Sequence, residues 1–234
     1  MRKTKIICTI GPASENEAIL TAMCKEGMDV ARLNFSHGSH EEHKRKIDLI
    51  KQVREKLDMP IAIMLDTKGP EYRIGTFVNE KVTVQAGDTF IFTTEDVQGD
   101  ETRVSVNYKD LIKNLSVGDR ILVNNGLVVF EVMELSGCNA VCRVITGGVL
   151  SNRKSMSFPN KVMSGPYLSE RDKADLLFGI ENDVDFVAAS FVSSAEDLME
   201  LHQFLDANGG KNIDIVAKIE NRSGVENIEE ICKL

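Results

Sequence analysis

Apolar and polar residues fall along this chain in two textures. In the first, short and nearly continuous apolar runs at residues 4–10, 30–35, 61–66, 184–191 and 213–219 are separated by longer stretches with helical spacing. Such runs are typical of strands buried on both faces of a parallel sheet. The stretches between them open on a Ser followed three residues later by an acid. In a capping box of that spacing the two side chains satisfy free N–H groups of the first helical turn. The strict Ser-x-x-Glu form falls at Ser14/Glu17, Ser39/Glu42 and Ser223/Glu226, and the Ser-x-x-Asp form at Ser169/Asp172 and Ser194/Asp197. Five apolar runs and five caps predict five βα units, the last helix running from Ser223 into Leu234.

The second texture occupies residues 70–166, where helical periodicity almost vanishes. Short strands are predicted at 81–85, 89–93, 103–107, 120–124, 127–134 and 140–146, and Asn124-Asn125-Gly126 between two apolar runs is a hairpin signal. The expected organisation is therefore an α/β domain at 1–69, an inserted all-β domain at 70–166, and the α/β domain resuming at 167–234. A complete (β/α)8 barrel takes about 250 residues. The flanking segments hold far fewer, so the fold expected is the first five or so units of a TIM barrel carrying a β insert after strand three. An open five-stranded α/β sheet is the alternative.

Composition narrows the class. With 42% hydrophobic and 27% charged residues the chain of 234 residues has the balance of a soluble globular protein. A net charge of −8 argues against non-specific nucleic-acid binding. No apolar run reaches the roughly 18 residues of a membrane span, and the N-terminus has no signal-peptide h-region. The five cysteines, Cys8, Cys24, Cys138, Cys142 and Cys232, are odd in number and scattered. They read as reduced thiols of a cytoplasmic protein.

Candidate chemistry lies at the C-terminal ends of the predicted strands, where parallel barrels keep their active sites. Alternation puts Arg32, Asn34 and Ser36 on one face of the second strand, with His37 following. The third strand ends in Asp66-Thr67-Lys68-Gly69-Pro70, followed by Arg73. The fourth ends in Ala188-Ala189-Ser190-Phe191, and the fifth in Lys218-Ile219-Glu220-Asn221, with Lys218 and Glu220 pointing the same way. Arginine forks bind phosphate, carboxylates with substrate oxygens make a Mg²⁺ shell, and a lysine neutralises charge on a transferring phosphoryl group. The competing readings are structural: an ion pair for Lys218/Glu220, a cap or turn for Asp66, a surface loop for His37.

Four segments, Lys5-Ile-Ile-Cys-Thr-Ile-Gly-Pro12, Ala31-Arg-Leu-Asn-Phe-Ser-His-Gly38, Asp66-Thr-Lys-Gly-Pro-Glu-Tyr-Arg73 and Ala217-Lys-Ile-Glu-Asn221, resemble successive signatures of the pyruvate kinase family, in that family's order. The resemblance implies a (β/α)8 A domain with a mobile B-domain lid inserted after strand three. It also implies phosphoryl transfer from phosphoenolpyruvate to ADP, giving pyruvate and ATP in glycolysis. By the same resemblance Arg32 and Arg73 hold phosphates, Lys218 stabilises the transferring phosphoryl and the enolate, and Glu220 binds Mg²⁺ (or Mn²⁺). Asn34, Ser36, Asp66 and Thr67 would bind K⁺, and Glu71 matches the potassium-dependent form. His37 would lie by the nucleotide and Lys154 would meet its phosphates. The full-length enzyme would be a homo-oligomer, a homotetramer in the family.

Three departures stand out. Asn124-Asn125 replaces the family's usual Asp-Asp, and Ser-Met-Ser-Phe-Pro replaces Gly-Val-Asn-Leu-Pro after Lys154. The chain also stops before the strand whose Gly-Asp would supply a second Mg²⁺ carboxylate, so the 234 residues alone are expected to be inactive. Two other functions compete: a metal-dependent lyase or aldolase of the phosphoenolpyruvate/pyruvate barrel type, and a non-catalytic phosphate- or nucleotide-binding fragment.

Overall fold

The computed structural model describes residues 3–159, 161 and 165–234. In chain order the elements begin β1 (Ile7–Thr9), α1 (Glu17–Glu26), β2 (Val30–Asn34), α2 (His40–Leu57) and β3 (Ala62–Asp66). There follow β4 (Tyr72–Arg73), β5 (Lys81–Val84), β6 (Thr89–Thr93), β7 (Arg103–Ser105), α3 (Leu111–Asn114), β8 (Arg120–Val123), β9 (Val128–Ser136), β10 (Asn139–Thr146), β11 (Gly148–Ser151) and β12 (Ser155–Ser157). The chain continues with α4 (Glu170–Glu181), β13 (Phe186–Ala189), α5 (Ala195–Ala207), β14 (Asp214–Ala217), α6 (Arg222–Glu226) and α7 (Ile228–Ile231). Two compact units result: the chain up to Pro70 together with Pro166–Leu234, and Glu71–Gly165.

The first unit is an α/β layer. Its strands run in the order β1-β2-β3-β13-β14, every neighbouring pair parallel. One sheet face carries Leu33, Ile63, Leu65, Val187 and Ala189, which join Leu20, Ile47, Ile50, Val53, Leu176, Leu198 and Leu201 of the helices in one buried core. The opposite face changes character along the strands. Val30, Met64 and Ala188 form a small apolar cluster with Ala62 and Phe186. Further along the same alternation come Arg32 and Asn34, Asp66, Ser190, and Lys218. The register pairs Asn34 with Asp66 and Asp66 with Ala188, so these polar positions gather at the C-terminal ends.

Capping decides where the helices begin. Ser39, Ser169 and Ser194 form capping boxes with Glu42, Asp172 and Asp197 as expected. The other two predicted caps are corrected. Asn16, not Ser14, accepts the Ile19 N–H at the head of α1, while Ser14 closes a turn onto Gly11. Asn221, not Ser223, accepts from Gly224 at the head of α6, which places Ser223 inside the helix. The single helix expected from Ser223 to Leu234 is two short ones that meet at Asn227, whose amide donates to the Ser193 carbonyl.

The second unit contains a seven-stranded sheet, order β4-β12-β8-β9-β10-β6-β7, and the pair β11-β5. Its core holds Phe90, Phe92 and Phe130, with ring centroids 4.9–5.6 Å apart. The hairpin at 124–126 is present, with φ of 55° at Asn124, 58° at Asn125 and 83° at Gly126. Asn and Gly tolerate this left-handed region best. Strands β4, β11 and β12, two to four residues long, are additional to those read from the sequence.

Candidate functional site

The polar end of the first unit's sheet is organised around one buried carboxylate. Asp66, 2% exposed, ends β3 between its two neighbours. Its Oδ2 accepts from both Nε and Nη2 of Arg32, the Nε at 2.7 Å. Its Oδ1 accepts from Lys218 Nζ at 2.9 Å. Arg32 turns its remaining nitrogen, Nη1, to the Thr9 hydroxyl. Two cations therefore converge on one anion, and each keeps part of its surface in solvent: 31% for Arg32 and 27% for Lys218. Lys218 lies farther from Glu220, at 3.5 Å, so its main anionic partner is Asp66.

Ser190 completes the cluster. Its hydroxyl accepts from Lys218 Nζ at 2.8 Å and donates to the Thr67 carbonyl at 2.6 Å. Its N–H donates to Thr67 Oγ1 at 3.1 Å, and Thr67 in turn donates its backbone N–H to Ala188. Both residues are buried. Sequence reading placed Ser190 at a strand end without giving it a role. The available signal was the alternation Phe186, Ala188, Ser190, which carries it onto the face of Asp66.

The expected potassium ligands lie on adjacent strand ends, but three of the four are already engaged. Asn34 Oδ1 accepts the Ser36 N–H at 3.0 Å, the Thr67 carbonyl accepts from Ser190, and Asp66 is held by Arg32 and Lys218. Asn34 Oδ1, the Thr67 carbonyl and Asp66 Oδ1 each keep lone-pair capacity, whereas Asp66 Oδ2 is taken up by its two bonds from Arg32, so the donor set suits a hard cation without being empty. Glu220 is exposed. Its Oε2 accepts the N–H of Phe191, whose φ of 58° is unusual for a bulky residue. Asn221 Nδ2 holds the same loop through the Phe191 carbonyl and Ser193 Oγ. Among the described residues, no three His, Cys, Asp or Glu side chains group to hold a metal on their own.

His37 is exposed, and its carbonyl accepts from His43 Nε2 at 2.9 Å. His43 is buried and stacks on Phe35 with ring centroids 3.9 Å apart. Burial pushes its pKa below the usual imidazole value, against the pull of the His37 carbonyl. His40, on the same helix, pairs with the buried Asp175 at 2.6 Å. Together these contacts fix the loop between β2 and α2.

The remaining candidates belong to the second unit. Arg73 pairs with Glu71 and donates to the Arg153 carbonyl at 2.6 Å, and it lines a cavity of about 370 Å³ with Arg153, Lys109, Asn107 and Asp96. Lys154 is half-buried, and its carbonyl accepts the Ile74 N–H. A larger cavity, about 920 Å³, lies in the first unit at the opposite, N-terminal ends of β3, β13 and β14 and includes none of the candidate residues.

A family model described as "Pyruvate kinase, barrel domain" matches residues 1–234. The chain belongs to the pyruvate kinase family. It is 46% identical over 235 residues to the pyruvate kinase of Clostridium perfringens, covering 100% of this chain and 50% of the relative. It is equally similar to that of Clostridium acetobutylicum, and 44% identical to that of Geobacillus stearothermophilus, where 99% of this chain covers 40% of the relative. The chain thus spans about half the length, or less, of the curated pyruvate kinases it matches. The barrel-domain match agrees with the parallel α/β sheet of the first unit. No helix among the described residues is long and apolar enough to cross a membrane.

Proposed function

We propose that the protein carrying this chain is a cytoplasmic pyruvate kinase, moving a phosphoryl group from phosphoenolpyruvate to ADP. The observation that carries the reading is the convergence of Arg32 and Lys218, both partly open to solvent, on the strand ends of a barrel-family sheet. The first unit is read as the opening five units of the family's barrel, and residues 70–166 as its inserted B domain.

Phosphoryl transfer depends mainly on positioning and charge stabilisation. Arg32 offers a planar fork already oriented by Asp66 and Thr9, so it can engage phosphate oxygens with little loss of side-chain freedom. Lys218 presents a point charge where negative charge grows on the transferring group and on the enolate left behind. Arg73 and Lys154 bind phosphates of the nucleotide, and His37 lies by it. Glu220, an exposed carboxylate, suits Mg²⁺ or Mn²⁺ shared with substrate oxygens, since Mg²⁺ commonly takes only one or two protein carboxylates. That ion, when bound, neutralises phosphate charge. Asn34, Ser36, Asp66 and Thr67 offer the oxygens for K⁺. The whole enzyme acts as a homotetramer, and its reduced thiols fit a cytoplasmic setting.

The test is a coupled assay for pyruvate on the protein as it occurs, with ADP, phosphoenolpyruvate, Mg²⁺ and K⁺. Turnover that falls at least a hundredfold in Lys218→Met supports the reading, and its absence in a folded preparation overturns it. The 234-residue polypeptide assayed alone is expected to form no pyruvate.

A further inference from the structure

Ser190 has more connections than its size suggests, and they lead in two directions. Towards the site, its hydroxyl has one proton and spends it on the Thr67 carbonyl, 2.6 Å away, rather than on Asp66 Oδ1 at 3.3 Å. That leaves its lone pairs facing Lys218 Nζ at 2.8 Å. Lys218 is thereby held by one charged and one neutral acceptor, which together fix the ammonium at the end of a long and otherwise flexible stem.

Away from the site, the Ser190 carbonyl accepts the Tyr167 hydroxyl at 2.8 Å. Tyr167 is 6% exposed, and burial, with the surrounding carboxylates, keeps its hydroxyl protonated well above the ordinary phenol range. It is therefore a permanent donor. Tyr167 is itself fastened, its N–H and that of Leu168 donating to Glu200. Gly69 passes so close that an added Cβ would lie 2.7 Å from the same Ser190 carbonyl, and its N–H is held by the buried Asp172. No part of the phosphoryl-transfer scheme above uses Ser190 or Tyr167.

We propose that Ser190 is a positioning residue that aims the Lys218 ammonium, and that Tyr167 holds Ser190 in place from behind through its carbonyl. Neither residue touches the reacting atoms. The consequence for rate rests on the pyruvate kinase reading, but the consequence for Lys218 does not.

The experiment uses Ser190→Ala, Tyr167→Phe and the double variant of the protein carrying this chain, each first checked for native circular dichroism. The first readout is independent of activity: trace acetylation of lysines with acetic anhydride, followed by mass spectrometry and normalised to Lys25. Ser190→Ala should raise the labelling rate of Lys218 several-fold, and Tyr167→Phe by a smaller factor. The second readout is kinetic. Ser190→Ala should lower kcat about tenfold with KM for phosphoenolpyruvate within twofold, because an aimed charge matters most in the transition state. The double variant should be no slower than Ser190→Ala, since Tyr167 acts only through Ser190. Unchanged Lys218 labelling in folded Ser190→Ala overturns the proposal, as does full additivity of the two substitutions. A parent without pyruvate kinase activity would defeat the functional reading alone, and the labelling result would still decide this one.

Discussion

Asp66→Asn replaces the carboxylate on which Arg32 and Lys218 converge with an uncharged group of the same shape. The side chain is 2% exposed and accepts two bonds from Arg32 and one from Lys218. Breaking a fully buried pair by removing one partner costs about 3–5 kcal/mol. Here the cations keep 31% and 27% of their side chains in solvent and recover part of that by hydration, so about 2–3 kcal/mol is expected. At about 2–4 °C per kcal/mol the melting temperature should fall by about 4–12 °C. The substitution also leaves two cations without a shared anion, so inorganic phosphate should stabilise Asp66→Asn more than the parent. The assay is thermal unfolding by circular dichroism, with and without phosphate at constant ionic strength, since free ions screen such charges. A melting temperature within about 1 °C of the parent, or no extra stabilisation by phosphate, would refute the view that this carboxylate holds the two cations together.

Gly69→Ala should cost about 2–3 kcal/mol, because Gly69 has a φ of 65° and its new Cβ would press on the Ser190 carbonyl; a change below about 0.5 kcal/mol in urea unfolding would contradict this. Ser39→Ala should lose about 1 kcal/mol by removing the cap of α2, read from the same unfolding curves. His43 has a folded pKa below its unfolded value of about 6.5, so the stability it contributes is present above that pH and is lost as pH falls through the folded pKa. His43→Phe keeps the ring stack on Phe35 but cannot titrate, and its stability should depend less on pH below about 6.5; an unchanged acid limb would show that His43 is not the group responsible. Activity of the whole enzyme should require K⁺, and full rates with only bulky organic cations present would remove the proposed potassium-binding roles of Asn34, Ser36, Asp66 and Thr67.

The chain's own pattern determined the five parallel strands, the break in texture near residue 70, and the caps at Ser39, Ser169 and Ser194. Burial on both faces leaves a continuous apolar run, and a box needs only residues three apart, so both signals are local. Period-two alternation likewise put Arg32 with Asn34 and Lys218 with Glu220 on one side. What alternation could not supply was the partner across the sheet. Asp66 was expected among potassium ligands, and Lys218 was weighed as a structural partner of Glu220. The structure also joins Asp66 to Arg32 and Lys218, 34 and 152 residues away, and keeps Lys218 within 3.5 Å of Glu220. Those contacts depend on the register between parallel strands, which brings together residues far apart in sequence. The misplaced caps have the same origin. Ser14 and Asn16, or Ser223 and Asn221, are chemically similar acceptors two residues apart, and only the packed position of the helix decides which meets its first free N–H. Ser190 shows the limit most clearly: its chemistry is generic, and it gains importance only because tertiary folding brings Thr67, Tyr167 and Lys218 within hydrogen-bond distance of one small side chain and its backbone.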